Sequence, residues 1–596
     1  MKQFFKFLFA SCLGVFLAIG LLVFVVATIG SRLASKQNKV AEVEPNSILH
    51  LDFDSAIPEK TNNLAIDPFA FNNDKVLGLY AITDAIERAT EDDNIKGIYI
   101  NPVMVRSGFA TNDVLRDALN QFKESGKFII AYSKVYGQND YYISSVADKV
   151  FVHPLGGIDF RGFAAQISFY KNMLDKAGVK MQTIYAGQFK SATEPYRLTE
   201  MSEQNRKQTR EFLNDIHRNF MGDIGRSRNL SIPQLNAIAN TYEALAADRA
   251  VSSGLADQVG YEDEALMEIK DRIGLDDDDD ISTISLSAYA KANPIDKNYG
   301  ANSKIAVVYA EGAIVDGKGE NGSIGDEKYV EIIRKIRKDE DVKAIVLRVN
   351  SPGGSAMASE NMWRELMLAK EQGLNIVVSM GDYAASGGYY IAAPADKIYA
   401  QPNTLTGSIG VFTMLPDVSE LLTDKVGIGF DTVQTNTFAE GITPVRPLSE
   451  GERKIIQERI DMMYETFLER VRAGRSSATG KNLTREDIHT IAQGRVWTGE
   501  DAISKGLVDE LGGLDAAIAH AAELAGVEDY RAVEYPRIKE PIQQLIEEIT
   551  GESKDSPFSR MMRAELGEYY PYYEQVKEIR EMQGVAQARL PFIIVQ

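Results

Sequence analysis

The chain has 596 residues, a formal net charge of -20 and a sequence pI near 4.9, which is length enough for two or more domains with their own cores. The acidic balance argues against nucleic-acid binding, because a phosphate-binding surface needs clustered positive charge. Cys12 is the only cysteine, so intramolecular disulfides and a thiolate metal cluster are excluded.

The chain begins with an uncharged apolar run from Phe7 to Ser31, flanked by Lys2 and Lys6 before it and by Arg32, Lys36 and Lys39 after it. That run is long enough to cross a bilayer and reads as one N-terminal transmembrane helix, kept as a membrane anchor over 1–32. The flanking charges nearly balance and do not set its orientation. A polar tether from Leu33 to Pro45 comes next, and Ser47-Ile48-Leu49-His50-Leu51 reads as the first strand.

Comparing the chain with itself shows a repeat about 250 positions apart. Asp93 to Asn101 matches Asp341 to Asn350 with a small gap, and Tyr141-Tyr142-Ile143 with Ala147-Asp148-Lys149 matches Tyr389-Tyr390-Ile391 with Ala395-Asp396-Lys397 without one. Later, Ser253-Gly254-Leu255-Ala256-Asp257 matches Lys505-Gly506-Leu507-Val508-Asp509. The chain is a tandem duplication, with copies over 46–274 and 303–540, an acidic linker over 275–302 built around Asp276 to Asp280, and a C-terminal extension, 541–596, of open role. In the second copy Ile305 to Tyr309, Ala344 to Val349 and Ile376 to Ser379 read as strands, and Glu327 to Lys338 and Ser359 to Lys370 as helices. Such alternation predicts an α/β fold with a mainly parallel sheet.

The copies differ where chemistry would sit. The second holds three clusters: Asn350-Ser351-Pro352-Gly353-Gly354-Ser355, then Asp382 to Tyr390 around Ser386, then Thr404 to Gly410 around Ser408. Ser386, between two alanines and two glycines, is sterically open to a carbonyl carbon and is the candidate nucleophile. The match puts Gln138 opposite Ser386, Asn139 and Asp140 opposite Gly387 and Gly388, Phe160 opposite Ser408, and Val103-Met104-Val105 opposite Pro352-Gly353-Gly354. The first copy lacks the serine apparatus. It has instead Gln188-Phe189-Lys190-Ser191-Ala192, and aligning Phe189 with Phe438 puts Ala439 opposite Lys190. The losses are complementary.

Lys190 is therefore the candidate base. A lysine brought from a pKa of about 10.4 to near 7 carries roughly 5 kcal/mol against its charged form, which burial between the two copies would supply. Ser408 is placed to hydrogen-bond the amine, and the amides of Gly354 and Gly387 are candidates to hold an oxyanion. The five histidines, His50, His153, His217, His489 and His520, stand apart from these clusters, so a Ser-His-Asp site is the lesser reading. Ala384 stands where the Gly-x-Ser-x-Gly elbow demands glycine, so that strained turn is not expected. Gly474 to Asn482 fails the phosphate-loop spacing, and no nucleotide or other cofactor is expected. Val411, Phe412, Met414 and Leu415 read as core before they read as substrate pockets.

Anchor, duplication, Gln188 to Ala192 and the three clusters together resemble the long, duplicated form of the bacterial signal peptide peptidase A (protease IV) family. The resemblance implies a Clp protease/crotonase-like fold in each copy, a Ser/Lys dyad of Ser386 and Lys190 with Ser408 as helper, and a bowl-shaped homotetramer. It also implies remnant signal peptides as substrates and a catalytic body outside the cytoplasm, held on the inner membrane. Two rival readings are a crotonase-type enzyme acting on an acyl thioester and a membrane scaffold without activity.

Overall fold

A computed structural model describes residues 42–63, 76–292, 298–319, 322–537 and 586–589. The expected anchor, Phe7 to Ser31, lies outside them, and no helix among the described residues is long and apolar enough to cross a membrane.

The first copy forms β1 (Ser47–Leu51), β2 (Ile95–Ile100), β3 (Phe128–Tyr136), β4 (Lys149–Ile158), β5 (Lys180–Ala186), β6 (Gln258–Val259) and β7 (Thr283–Ser285). All but β5 make one parallel sheet in the order β6-β4-β3-β2-β1-β7. Its strands are near-continuous apolar runs because helices cover both faces; Ile98, Ile100, Ile129 and Val150 are fully buried.

The second copy repeats the plan with β8 (Ser303–Glu311), β9 (Ala313–Val315), β10 (Ser323–Gly325), β11 (Val342–Ser351), β12 (Gly353–Ser355), β13 (Asn375–Ala385), β14 (Lys397–Ala400), β15 (Leu405–Gly407), β16 (Val411–Asp417), β17 (Val496–Thr498), β18 (Glu510–Leu511) and β19 (Tyr530–Tyr535). Its main sheet runs β17-β15-β13-β11-β8-β19, with β14 beside β13 and β18 beside β14. The duplication extends to single bonds. Tyr141 donates to the Leu255 carbonyl and Tyr389 to that of Leu507, while Asp257 accepts from the Val150 amide as Asp509 does from that of Ile398.

Part of 275–302, expected as linker, is structured. β7 pairs with β1 and leads into the helix Leu286–Ala292, so the first copy's sheet reaches past the acidic run. β7 occupies the place that β19 takes beside β8.

A third sheet joins the copies in the order β10-β9-β12-β20-β16-β5, where β20 is Gln587–Arg589 of the C-terminal extension. In it β5 of the first copy lies antiparallel on β16 of the second. The Glu59 carboxylate also crosses between copies to Arg348 at 2.8 Å, both groups buried. Removing one partner of such a pair strands the other charge, at a cost of about 3–5 kcal/mol. Asp382 of the second copy accepts from the Thr111 amide and hydroxyl, and Asn403 donates to Asp113, whose burial pushes its carboxyl up to about 8.

Candidate active site

Pairing register assembles the second and third clusters. β13 and β15 run parallel with Ala384 opposite Thr406 and Ala385 opposite Gly407, so the chain leaves both strands at one level and Ser386 arrives beside Ser408. The Ser386 amide donates to the Gly407 carbonyl at 2.8 Å. Ser386 then opens the helix Gly387–Ala392 with φ 56° and ψ -114°. A non-glycine residue there stores roughly 1–3 kcal/mol of strain that its surroundings must hold. This corrects the sequence expectation: the turn is strained although Ala384 replaces the usual glycine, because a methyl still fits where Ala384 is fully buried.

The antiparallel register of β5 on β16 puts Ala186 opposite Val411. The first copy's chain is thereby delivered to the second copy's serines, and Lys190 lies four residues on. Its Nζ lies 2.7 Å from Ser386 Oγ, 3.0 Å from Ser408 Oγ and 3.0 Å from the Ser408 carbonyl. All three residues are buried, Lys190 at 1% exposure, and they belong to one chain. Burial alone pushes the Lys190 amine well below the ordinary lysine range, with no charged group acting on it. Those neighbours suit a neutral amine: its two N–H groups donate to the carbonyl and hydroxyl of Ser408, leaving the lone pair toward the Ser386 hydroxyl.

Sequence reasoning missed what holds Lys190. The Gln208 side-chain amide donates to the Phe189 carbonyl and the Ser191 hydroxyl and accepts from the Val496 amide, tying the lysine turn to β17. The Gln493 carbonyl accepts from the Phe189 amide. Gly494, at φ +80°, passes so close that an added Cβ would lie 2.7 Å from Lys190 Cβ. The Ser408 amide donates to the Arg495 carbonyl. An isolated Gln-Gly pair before Arg495 is the only sequence signal for this clamp.

The first cluster forms β12. Gly354 runs against the Ile314 carbonyl, which an added Cβ would approach to 1.9 Å. Gly387 opens its helix, so its N–H has no carbonyl partner within that helix. β12 pairs antiparallel with β20, Gly354 opposite Ala588 and Gly353 opposite Arg589, and Phe412 of β16 faces Gln587 from the other side. Of the four apolar residues that read as core, Val411, Phe412 and Met414 are buried and Leu415 is half-buried.

The corresponding cleft of the first copy is an open cavity lined by Val105, Gly137, Gln138, Asp140 and Arg161, but its amides are already engaged. Asp140 accepts from the Val105 amide at 2.7 Å and the Gly137 amide at 3.0 Å. Val105 stands opposite Gly354 in the repeat, so a fixed carboxylate occupies the amide that aligns with the candidate oxyanion donor. Gln138, opposite Ser386, accepts from the Arg161 and Gly162 amides.

A family model for peptidase family S49 matches residues 121–276 and 368–528, once in each copy. Duplicated α/β fold and matched family together define a serine-type peptidase. Protease 4 of Salmonella typhi is 35% identical over 532 residues, covering 86% of this chain and 84% of that protein. Protease 4 of Haemophilus influenzae is 33% identical over 471 residues, 77% and 75% of the two chains. The chloroplastic serine protease SPPA of Arabidopsis thaliana is 30% identical over 483 residues, 80% and 70%. A solved ClpP1 mutant of Listeria monocytogenes aligns at 16% identity over 36% of this chain and 94% of its own, with a TM-score of 0.24. The chain belongs to peptidase family S49.

Proposed function

We propose that this protein degrades remnant signal peptides after their release, through an acyl-enzyme made by a Ser386/Lys190 dyad. Neutral Lys190 takes the Ser386 hydroxyl proton as Oγ attacks a peptide carbonyl carbon. The amides of Gly354 and Gly387 hold the resulting oxyanion. Collapse breaks the C–N bond, and the proton on Lys190 passes to the leaving amine. Water, deprotonated by Lys190, then attacks the ester and frees Ser386. Ser408 orients the amine throughout.

One observation carries this reading: a fully buried lysine, 2.7 Å from a strained serine, with its pKa lowered by burial alone. The first-copy cleft adds support for the oxyanion assignment, because the amide aligned with Gly354 already holds an anion. β20 supports peptide binding in extended form, since an extended segment lies there between β12 and β16.

The wider reading rests on the family resemblance. Each copy is a Clp protease/crotonase-like unit; residues 1–32 anchor the protein in the inner membrane, where apolar peptides are concentrated; the catalytic body lies outside the cytoplasm; and four chains form a homotetramer.

The test is cleavage of an apolar peptide by the full chain and by Ser386→Ala and Lys190→Ala. Each substitution should cost about 10³-fold or more in kcat/KM, and a serine-reactive phosphonate should label wild type but not Ser386→Ala. Full activity in either variant rules out the dyad.

A further inference from the structure

The two copies dispose differently of one place in the fold. In the second, the groove between β12 and β16 holds β20, with Ala588 opposite Gly354 on one side and Gln587 opposite Phe412 on the other. The repeat puts 104–106 opposite β12 and, with Phe160 opposite Ser408, Ala164 opposite Phe412. The parallel bridge from Ala56 to Arg106 keeps the plan of β9 beside β12. Between these counterparts no described strand is seated. A cavity of about 470 Å³ opens there instead, with Met104, Val105, Arg106 and Phe163 in its lining, a size ordinary for a ligand site.

The walls of this cavity suit an extended apolar peptide. Phe163, Ala164 and Ala165 exchange no backbone hydrogen bond with any described residue, which leaves an edge open to a strand. Phe163 packs edge-on to Phe109 and Phe220, so that edge is held in place before anything binds. Met104, about half exposed, joins Phe163 and Tyr383 in an apolar lining, and Ala164 gives up the bulk that Phe412 has in the other copy. Only the cutting apparatus is missing. Gln138 stands in place of Ser386, and Asp140 holds the Val105 amide. Asp382 and Tyr383, which also line the cavity, belong to β13, the strand that ends beside Ser386.

We propose that the first-copy cleft is a second peptide site, which seats an extended apolar segment of substrate between 104–106 and 163–165 and does not cut it. The inference rests on the peptidase reading above for its ligand. The direction follows from β20, which runs antiparallel to β12; a peptide in the equivalent groove runs antiparallel to 104–106. A substrate held there is tethered to the chain that cleaves it, against the strand that presents the nucleophile, so its next segment meets the active groove at a raised local concentration. The copy that lost the serine thus keeps the recognition half of the reaction.

The experiment illuminates the full-length, detergent-solubilised Ser386→Ala chain with an apolar peptide carrying a benzophenone side chain, and locates the adducts by fragment mass. Adducts should form on 104–106 or 163–165 as well as in the second copy. They should persist in the first copy of wild type whose Ser386 is capped by a phosphonate. Adding Met104→Glu should lower first-copy adducts about tenfold, because a carboxylate would meet the peptide's apolar face, while second-copy adducts report that the variant is folded. The same peptide N-methylated at alternate amides should lose them too, since its ladder donors are gone. Adducts confined to the second copy overturn the site, give the cleft to a neighbouring chain or to this chain's own terminus, and leave the dyad standing. First-copy adducts indifferent to both Met104→Glu and N-methylation overturn it as well. First-copy adducts that respond to both, from a wild type that cleaves nothing, keep the site and overturn the peptidase reading.

Discussion

The two clefts share a backbone plan and differ in which polar groups are already engaged. In the second copy a buried amine, its pKa lowered by that burial, meets a serine held at positive φ, beside glycine amides. In the first, Asp140 takes up the Val105 amide and Gln138 the amides of Arg161 and Gly162, so the positions aligned with Gly354 and Ser386 are bonded internally. A reactive site leaves strained and desolvated groups in place, which costs stability, whereas a cleft relieved of that role fills its donors with its own side chains. The first copy supplies instead the strand that delivers Lys190 to the serines of the second.

Four substitutions probe the difference between the clefts. The largest expected effect is that of Gly494→Ala: its methyl would sit against Lys190 Cβ in a backbone conformation that disfavours any side chain, and a base moved by about 1 Å should lose about 10²-fold in kcat. Peptide-cleavage kinetics measure it, and unchanged kcat would remove Gly494 from the clamp. Ser408→Ala comes next. It removes one of the two groups accepting from Lys190 while the Ser408 carbonyl stays, so kcat should fall about tenfold with KM little changed, a loss near the 1.4 kcal/mol that one hydrogen bond contributes.

The third concerns pH. Burial lowers the Lys190 pKa in the folded chain, whereas the unfolded chain keeps that proton up to about 10.4. Between those two values the unfolded state binds more protons, so stability rises with pH. Wild type should therefore gain on Lys190→Met by up to about 1.4 kcal/mol per pH unit across that window, measured by denaturant unfolding at several pH values; parallel curves would mean that Lys190 is charged when folded. Activity should fall on the acid side as the amine protonates. The smallest effect is expected of Gln138→Ser made in Ser386→Ala: no activity should return, because Asp140 still holds the Val105 amide and Lys190 serves the other cleft. Measurable cleavage would end the contrast.

Much of this was readable in the sequence because it is periodic or paired. Strands such as Ile376 to Ser379 announce themselves by β-branched runs, and the complementary losses at Gln138 and Ala439 point to Ser386 and Lys190 without a structure. Gln208 and Gly494 could not be read, since they reach Lys190 from distant segments and carry no local pattern. The strained turn was hidden by Ala384, a residue outside the glycine rule that still fits. Asp276 to Asp280 masked β7, whose three residues are too short for a periodic signal.

On the proposed reading of the groove, β20 sets the terms on which substrate enters. The groove beside Gly353–Ser355 already contains an extended backbone, Gln587–Arg589, hydrogen-bonded from both sides. A peptide seeking that place enters by exchange rather than by addition. Its ladder bonds replace others already formed, so backbone pairing contributes little net affinity, and selection falls to the peptide's side chains and to the contacts they make beyond Ser386. A groove occupied in this way discriminates by difference, favouring segments that outcompete the chain's own terminus over any extended strand that happens to fit.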